Sequence, residues 1–354
     1  MKKNTKKQIL NISIVLLLAL ITLVVLLTSS KELNYSNIKT FFSNANPLYI
    51  IIAFACWIGF IIFEAISLHI ILKILGYKPK IKSSIVYSTS DTYYSAITPS
   101  ASGGQPASAY YMIKDGVSGG AAGFSLIFNL IGYTAAILII GTFALIVGFD
   151  TFLKLPGFVK FLVIFGYITQ IGLLIFFVAC MKYHVIVKKF GNFTVRLLNK
   201  IRLIKNKEKW LDRVNTTVDK YKNSYEGLKK HKMVFIPVII FNVAQRTSQI
   251  LISVFVCMSA INCSFMEMLV MQSFVVLGYN SLPLPGGSGA FEYLYMKIYT
   301  LSLPESYIIV AMMVTRIISY YFSMVASGAY TLIYHLLHPK TKEGNDEVVT
   351  TSSN

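Results

Sequence analysis

Six apolar runs decide what this chain can fold into. They lie at about 8–29, 47–72, 121–148, 158–181, 233–260 and 305–337. Each reaches the roughly 20 residues that a helix needs to cross the ~30 Å hydrocarbon layer of a bilayer. Backbone in hydrocarbon must satisfy its own N–H and C=O groups, so such runs cross as helices. The expected fold is therefore an all-α, polytopic membrane helix bundle. Residues 1–339 read as a single integral membrane domain and 340–354 as a disordered cytoplasmic tail. The composition agrees: 14 % of residues are charged, where a soluble domain carries about 25 %. The first run has the basic start of a signal peptide, but it is long enough to span and no small-x-small cleavage site follows, so it is expected to stay as a helix.

Charge orients the runs. Lys2, Lys3, Lys6 and Lys7 place the N-terminus on the cytoplasmic side, and Lys73, Lys78, Lys80 and Lys82 follow the second run on the same side. Fifteen of the 33 Lys and Arg residues fall in 182–232, beside only four acids, Glu208, Asp212, Asp219 and Glu226. Such a segment faces the cytoplasm and the anionic lipids of the inner leaflet. Within it Trp210, Leu211, Val214, Val218, Tyr221, Tyr225 and Leu228 recur at helical spacing, which predicts an amphipathic helix lying on that leaflet. No nucleic-acid motif accompanies the charge. Both termini are expected to be cytoplasmic.

Two segments, 83–114 and 264–304, fit neither a lipid-facing helix nor a loop. "TPSASGGQPASAYYMIK" and "LPLPGGSGAFEYLYMKI" share a proline, a Gly-Gly pair, small residues and a Tyr-rich stretch ending in Met. Met112 follows Gly104 by 8 residues and Met296 follows Gly287 by 9. The Lys-rich ends share one face only if each segment returns to the face it entered from, as a re-entrant hairpin or as paired tilted spans. The first enters from inside and the second from outside, the pattern of inverted repeats. Proline and glycine break helices, and unpaired backbone at membrane depth costs several kcal/mol per group, so it persists only inside protein or beside a wet cavity. Two readings follow: plain loops between ordinary spans, or a site whose freed N–H groups suit an anion.

Charged residues within apolar runs sharpen the second reading. Glu64, Asp91, Arg246, Glu292 and Arg316 are costly in lipid and are expected to face a cavity or one another. Arginine suits a phosphate or carboxylate bidentately, so Arg246 and Arg316 could hold a lipid phosphate while Asp91 and Glu292 orient them or meet a cationic head group. Structural Arg–carboxylate pairing that sets helix register is the alternative. For Glu64, with His69 five residues on, partial burial or snorkelling is the alternative. The candidate cavity set is Asp91, Pro99, Gly103, Gly104, Arg246, Pro283, Pro285, Gly286, Gly287, Gly289, Glu292 and Arg316. No Walker A, HExxH or GxSxG sequence occurs. Cys56, Cys180, Cys257 and Cys263 form no CxxC, and the five histidines are dispersed, with His335 and His338 sharing a face. Hence no catalytic residue, metal or cofactor is expected.

"PLPGGSGAFE", "TPSASGGQPAS", the basic stretch and Arg316 together resemble the transmembrane, flippase-like domain of bacterial lysylphosphatidylglycerol synthases, over about 10–337. P-x-P-G-G-x-G-x-x-E is the most specific part. The resemblance implies the bacterial cytoplasmic membrane and movement of aminoacylated phosphatidylglycerol between leaflets. In that family a separate soluble domain transfers the aminoacyl group from tRNA, and resistance to cationic antimicrobial peptides results. About 17 residues follow the last run here, so lysyltransferase activity would need a synthase partner supplied separately. Three functions therefore stand: a flippase-like handler of a phospholipid or lipid-linked precursor, a phosphatidylglycerol lysyltransferase, and a non-transporting envelope assembly scaffold. An oligomer is compatible with each.

Overall fold

The computed structural model of the protein describes residues 35–98, 101–200, 206–282 and 284–338. The first apolar run, Pro99, Pro283 and the tail at 340–354 lie outside the described residues. Among the described residues there are thirteen helices and no strand. They are α1 (Tyr35–Asn44), α2 (Pro47–Ile74), α3 (Ile81–Ile97), α4 (Gly104–Lys114), α5 (Gly119–Val147), α6 (Phe149–Lys154), α7 (Gly157–Lys182), α8 (His184–Lys200), α9 (Lys207–Lys229), α10 (Phe235–Ala260), α11 (Phe265–Asn280), α12 (Ala290–Tyr299) and α13 (Glu305–Leu337). Five of these, α2, α5, α7, α10 and α13, run 26 to 33 residues and are apolar enough to cross a membrane. At 1.5 Å per residue the shortest is about 39 Å long. The chain is an all-α polytopic bundle.

Local chemistry sets the helix ends. Asn46 caps α2, its side chain accepting from the Leu48 N–H at 3.0 Å, and Pro47 takes the first turn, where its missing donor costs nothing. The helix stops at Gly76, whose φ of 87° closes the last turn, with the Tyr77 N–H donating to the Leu72 carbonyl at 3.0 Å. Ser118 caps α5, and Asn206 caps α9. On α7, Phe158, Phe161, Phe165, Ile168 and Ile175 are exposed, an apolar belt that only lipid can solvate.

The two interrupted segments are helical hairpins of matching proportion. The first pairs α3 of 17 residues with α4 of 11, and the second pairs α11 of 16 with α12 of 10. The short legs rise only about 16 Å and 15 Å, half of the hydrocarbon thickness. The hairpins enter from opposite ends of the bundle. Ser83 at the start of α3 and Asp115 just after α4 both hydrogen-bond Tyr334 near the end of α13, each at 2.8 Å. At the other end, Ser302 after α12 bonds Glu267 in the first turn of α11, next to the start of α13.

The basic segment packs on the bundle through α9. Val218, Tyr221 and Leu228 of that helix are buried against the protein. Tyr221 stacks edge-on to Phe124 of α5 at 5.3 Å and donates its hydroxyl to the Cys180 carbonyl at 3.1 Å. Burial pushes that phenol above its ordinary range. The helix with an open apolar face is α8, where Phe190, Phe193 and Leu197 are exposed at helical spacing between basic residues. Sequence periodicity marks an apolar stripe but does not say whether protein or lipid covers it.

Candidate functional site

In the second hairpin, three glycines set the geometry. Gly286, Gly287 and Gly289 have φ of 56°, 66° and 85°, in the left-handed region that side chains disfavour. Space is equally tight: a Cβ on Gly286 would lie 2.2 Å from the Tyr320 ring, and one on Gly287 would lie 2.5 Å from the Tyr279 ring. The turn Pro285–Gly287 is a single 3-10 turn. It frees the Gly286 carbonyl, which accepts from Arg316 Nη1 at 2.8 Å. Glu292, one turn into α12, accepts the Gly289 N–H on Oε2 at 2.6 Å and Arg316 Nε on Oε1 at 2.8 Å. The Arg316 guanidinium also lies 4.1 Å over the Phe291 ring and 5.5 Å from that of Tyr320. Arg316 thus ties the broken backbone and its capping carboxylate to α13. It sits immediately before the π-helical turn Ile317–Phe322, a distortion common at functional sites.

The first break is held by Thr98. Its hydroxyl accepts the Gly103 N–H at 2.8 Å and donates to the Tyr94 carbonyl at 2.6 Å. Gly104 opens α4 directly beneath Asp91, where a Cβ would meet the Asp91 carboxylate at 1.9 Å. Asp91 accepts from Gln105 Nε2 at 3.0 Å and from Ser95 Oγ at 3.2 Å. Ser88, one helical turn before Asp91, brings α3 against Glu64 of α2. Glu64 Oε2 accepts from Ser88 Oγ at 2.8 Å and from Gln245 Nε2 at 3.1 Å, and the residue is 5 % exposed. Tyr320 joins the two breaks, donating its hydroxyl to the Ala96 carbonyl at 2.9 Å.

Between the breaks lies a cavity of about 380 Å³. Glu64, Asp91, Arg246 and Arg316 all line it, together with Gly286 and Gly287 of the second break and Ala101 of the first. The volume falls in the range of small-molecule sites. Arg246 donates Nη1 to Gln249 Oε1 at 2.8 Å and lies 4.2 Å over the Tyr133 ring and 5.0 Å from Phe60. Among the described residues it makes no ion pair. Arg246 Nε and Arg316 Nη2 are buried without a hydrogen-bond partner. Buried donors left unpaired cost about 1–3 kcal/mol, more when charged, so a pair of them beside one cavity marks a place built for an acceptor.

Of the residues expected from sequence, Asp91, Arg246, Gly286, Gly287 and Arg316 line the cavity. Gly103, Gly104, Gly289 and Glu292 support it from behind, and Pro285 opens the second turn. Pro99 and Pro283 lie outside the described residues. Glu292 pairs with Arg316, not Arg246, and its second oxygen caps α12. Glu64 is not a snorkelling residue: it is buried at the cavity wall, against Asp91. The signal for it was present, a lone carboxylate amid an apolar run. Gln105, Tyr133, Gln245 and Tyr320 carried no such signal, because polar and aromatic residues are common in helices of this kind.

Among the described residues, no three His, Cys, Asp or Glu side chains cluster as a metal site. A family model described as the lysylphosphatidylglycerol synthase TM region matches residues 12–327. No curated protein matches the chain.

Proposed function

The chain belongs to the lysylphosphatidylglycerol synthase transmembrane-region family, and from that premise we propose that it is a flippase-like protein moving a phospholipid across the bacterial cytoplasmic membrane. Its substrate carries an anionic phosphate, as phosphatidylglycerol and its lysyl ester do. One observation supports this most. Two buried guanidinium groups face one cavity where two broken hairpins meet, and only one of them has an acid partner. The head group enters this cavity, its phosphate on Arg246 and Arg316, while the acyl tails stay in lipid. The hairpins act as inverted repeats that rock against each other to alternate access. The exposed aromatic face of α8 seats the basic segment in the anionic inner leaflet.

Leaflet-resolved translocation of phosphatidylglycerol and lysyl-phosphatidylglycerol in proteoliposomes tests the proposal. A hydrogen bond to a charged group contributes about 1.5–3 kcal/mol, or roughly tenfold to a hundredfold in affinity. Arg246→Ala, and Arg316→Ala combined with Glu292→Ala, should slow translocation by about that factor. The reading fails if the wild type moves neither lipid, or if the variants move both at the wild-type rate.

A further inference from the structure

Glu64 and Asp91 are two neighbouring carboxyl groups at the wall of a cavity inside a membrane bundle: both line it, and Ser88, one turn before Asp91 on α3, donates to Glu64. Side-chain donors account for part of their hydrogen bonding: Ser88 and Gln245 on Glu64, Ser95 and Gln105 on Asp91. Two carboxylates side by side in a membrane bundle repel one another, and a proton shared between them relieves that repulsion. The pair then carries one negative charge. The charged group that lines the same cavity from α10 is Arg246, which makes no ion pair among the described residues. From α13, Arg316 lines the same cavity but is already paired with Glu292. Tyr133, Tyr279 and Tyr320 line the same cavity.

This makes a closed charge set: one shared negative charge against one unpaired guanidinium. A phosphate arriving at Arg246 adds a second negative charge. Neutrality is restored if the carboxyl pair takes up a second proton from solution. The structure has a place for that proton. Gln245, 1 % exposed, donates its amide nitrogen to Glu64, while its Oε1 has no partner. Rotating the amide exchanges the donor for an acceptor that receives a protonated Glu64. Arg246, 8 % exposed with its Nε unpartnered, marks the anion position independently of the carboxyl pair.

We propose that Glu64 and Asp91 form one proton-binding site coupled to anion binding at Arg246, so that loading the cavity with a phosphate-bearing head group takes up a proton. This rests on the lipid-handling reading above for the anion, but not for the shared proton. By linkage, an anion that promotes protonation binds more tightly as the pH falls.

Two measurements on the purified chain in nanodiscs test it. The first needs no ligand. The infrared spectrum at neutral pH should contain a protonated-carboxyl stretch that is lost in Glu64→Gln and in Asp91→Asn. Absence of that band in the wild type, or its survival in both variants, overturns the shared proton. The second is calorimetric titration with short-chain phosphatidylglycerol in buffers of different ionisation enthalpy. About one proton should be taken up per lipid, with affinity rising as the pH falls, by up to about tenfold per pH unit. The uptake and the pH slope should vanish in both variants. Lipid binding by the wild type without proton uptake overturns the coupling. If the band is present but no phospholipid binds, the lipid reading fails, and the coupling to a lipid with it. Inorganic phosphate is the control for source: proton-coupled binding of phosphate as tight as that of the lipid supports the coupling and overturns the lipid reading.

Discussion

A Cβ at Gly104 would lie 1.9 Å from Asp91 Oδ1, 2.0 Å from Ser95 Oγ and 2.7 Å from the Asp91 carbonyl. The last contact is with backbone, so a side-chain rotation cannot relieve it. The two legs of the first hairpin would have to part, and with them the Gln105–Asp91 hydrogen bond. Overpacking of this kind costs about 1–3 kcal/mol. Gly123 in α5 is the control, since a Cβ there meets nothing within 4 Å. Gly104→Ala should lower thermal stability in detergent by about that amount, whereas Gly123→Ala should leave it unchanged or raise it by up to about 1 kcal/mol through helix propensity. Equal effects of the two substitutions would mean that the close approach at residue 104 is not what the glycine provides. At Arg316 the argument is about direction, not space. A guanidinium reaches Glu292 and the Gly286 carbonyl at once from separate nitrogens, which a single ammonium cannot do.

Among the elements, α8 and α9 have similar composition and opposite fates. The apolar face of α9 is spent on α5 and α7, and Gly120 lets it approach closely: a Cβ there would lie 2.4 Å from the Thr217 carbonyl. The two basic helices pack on one another where Gly191 admits Val214. That leaves Phe190 and Phe193 of α8 at 72 % and 61 % exposure. Aromatic side chains beside lysines sit well at a membrane interface. A tryptophan at 193 should therefore be quenched strongly by brominated lipids, and Trp210 on α9, which stacks under Arg213 at 5.1 Å, only weakly. In a Trp57→Phe background, Phe193→Trp combined with Trp210→Phe reports residue 193 alone, and Trp210 by itself reports α9. Equal quenching would place both helices on the leaflet. The hairpins pose a different question at this scale. Their short legs cannot cross, so each must turn back within the bundle, and the freed backbone at both turns is satisfied by side chains: Thr98 at one, Arg316 and Glu292 at the other.

For the molecule as a whole, the decisive feature is that the hairpins enter from opposite ends and meet at one cavity. Labelling with a membrane-impermeant thiol reagent checks this. Single cysteines at Lys78→Cys and Gly119→Cys flank the first hairpin and should react from one side. Cys263 and Ser302→Cys flank the second and should react from the other. Burial, with Glu267 nearby, pushes the Cys263 thiol up to about 11. Because the thiolate is the reactive form, labelling of Cys263 should be slow at neutral pH and quicken about tenfold per pH unit as the solution becomes more alkaline. Reaction of all four positions from one face would remove the opposed arrangement.

The sequence by itself determined the class of the molecule, because hydrocarbon admits no unpaired backbone and leaves long apolar runs one way to fold. It also located both helix breaks, since Pro285 and the glycines after it cannot continue a helix, and it singled out Arg246, Glu292 and Arg316 because a charge at membrane depth is costly enough to stand out. What it could not supply was partnership. Which arginine takes Glu292, which basic helix faces lipid, and whether Glu64 is a stray carboxylate or half of a pair all depend on contacts between residues far apart in the chain, Glu64 with Asp91 and Gln245, Arg316 with Gly286 and Glu292. Periodicity records which face of a helix is apolar and cost records which residues need a partner. Only the packing of α2, α3, α10 and α13 around one cavity decided who the partners are.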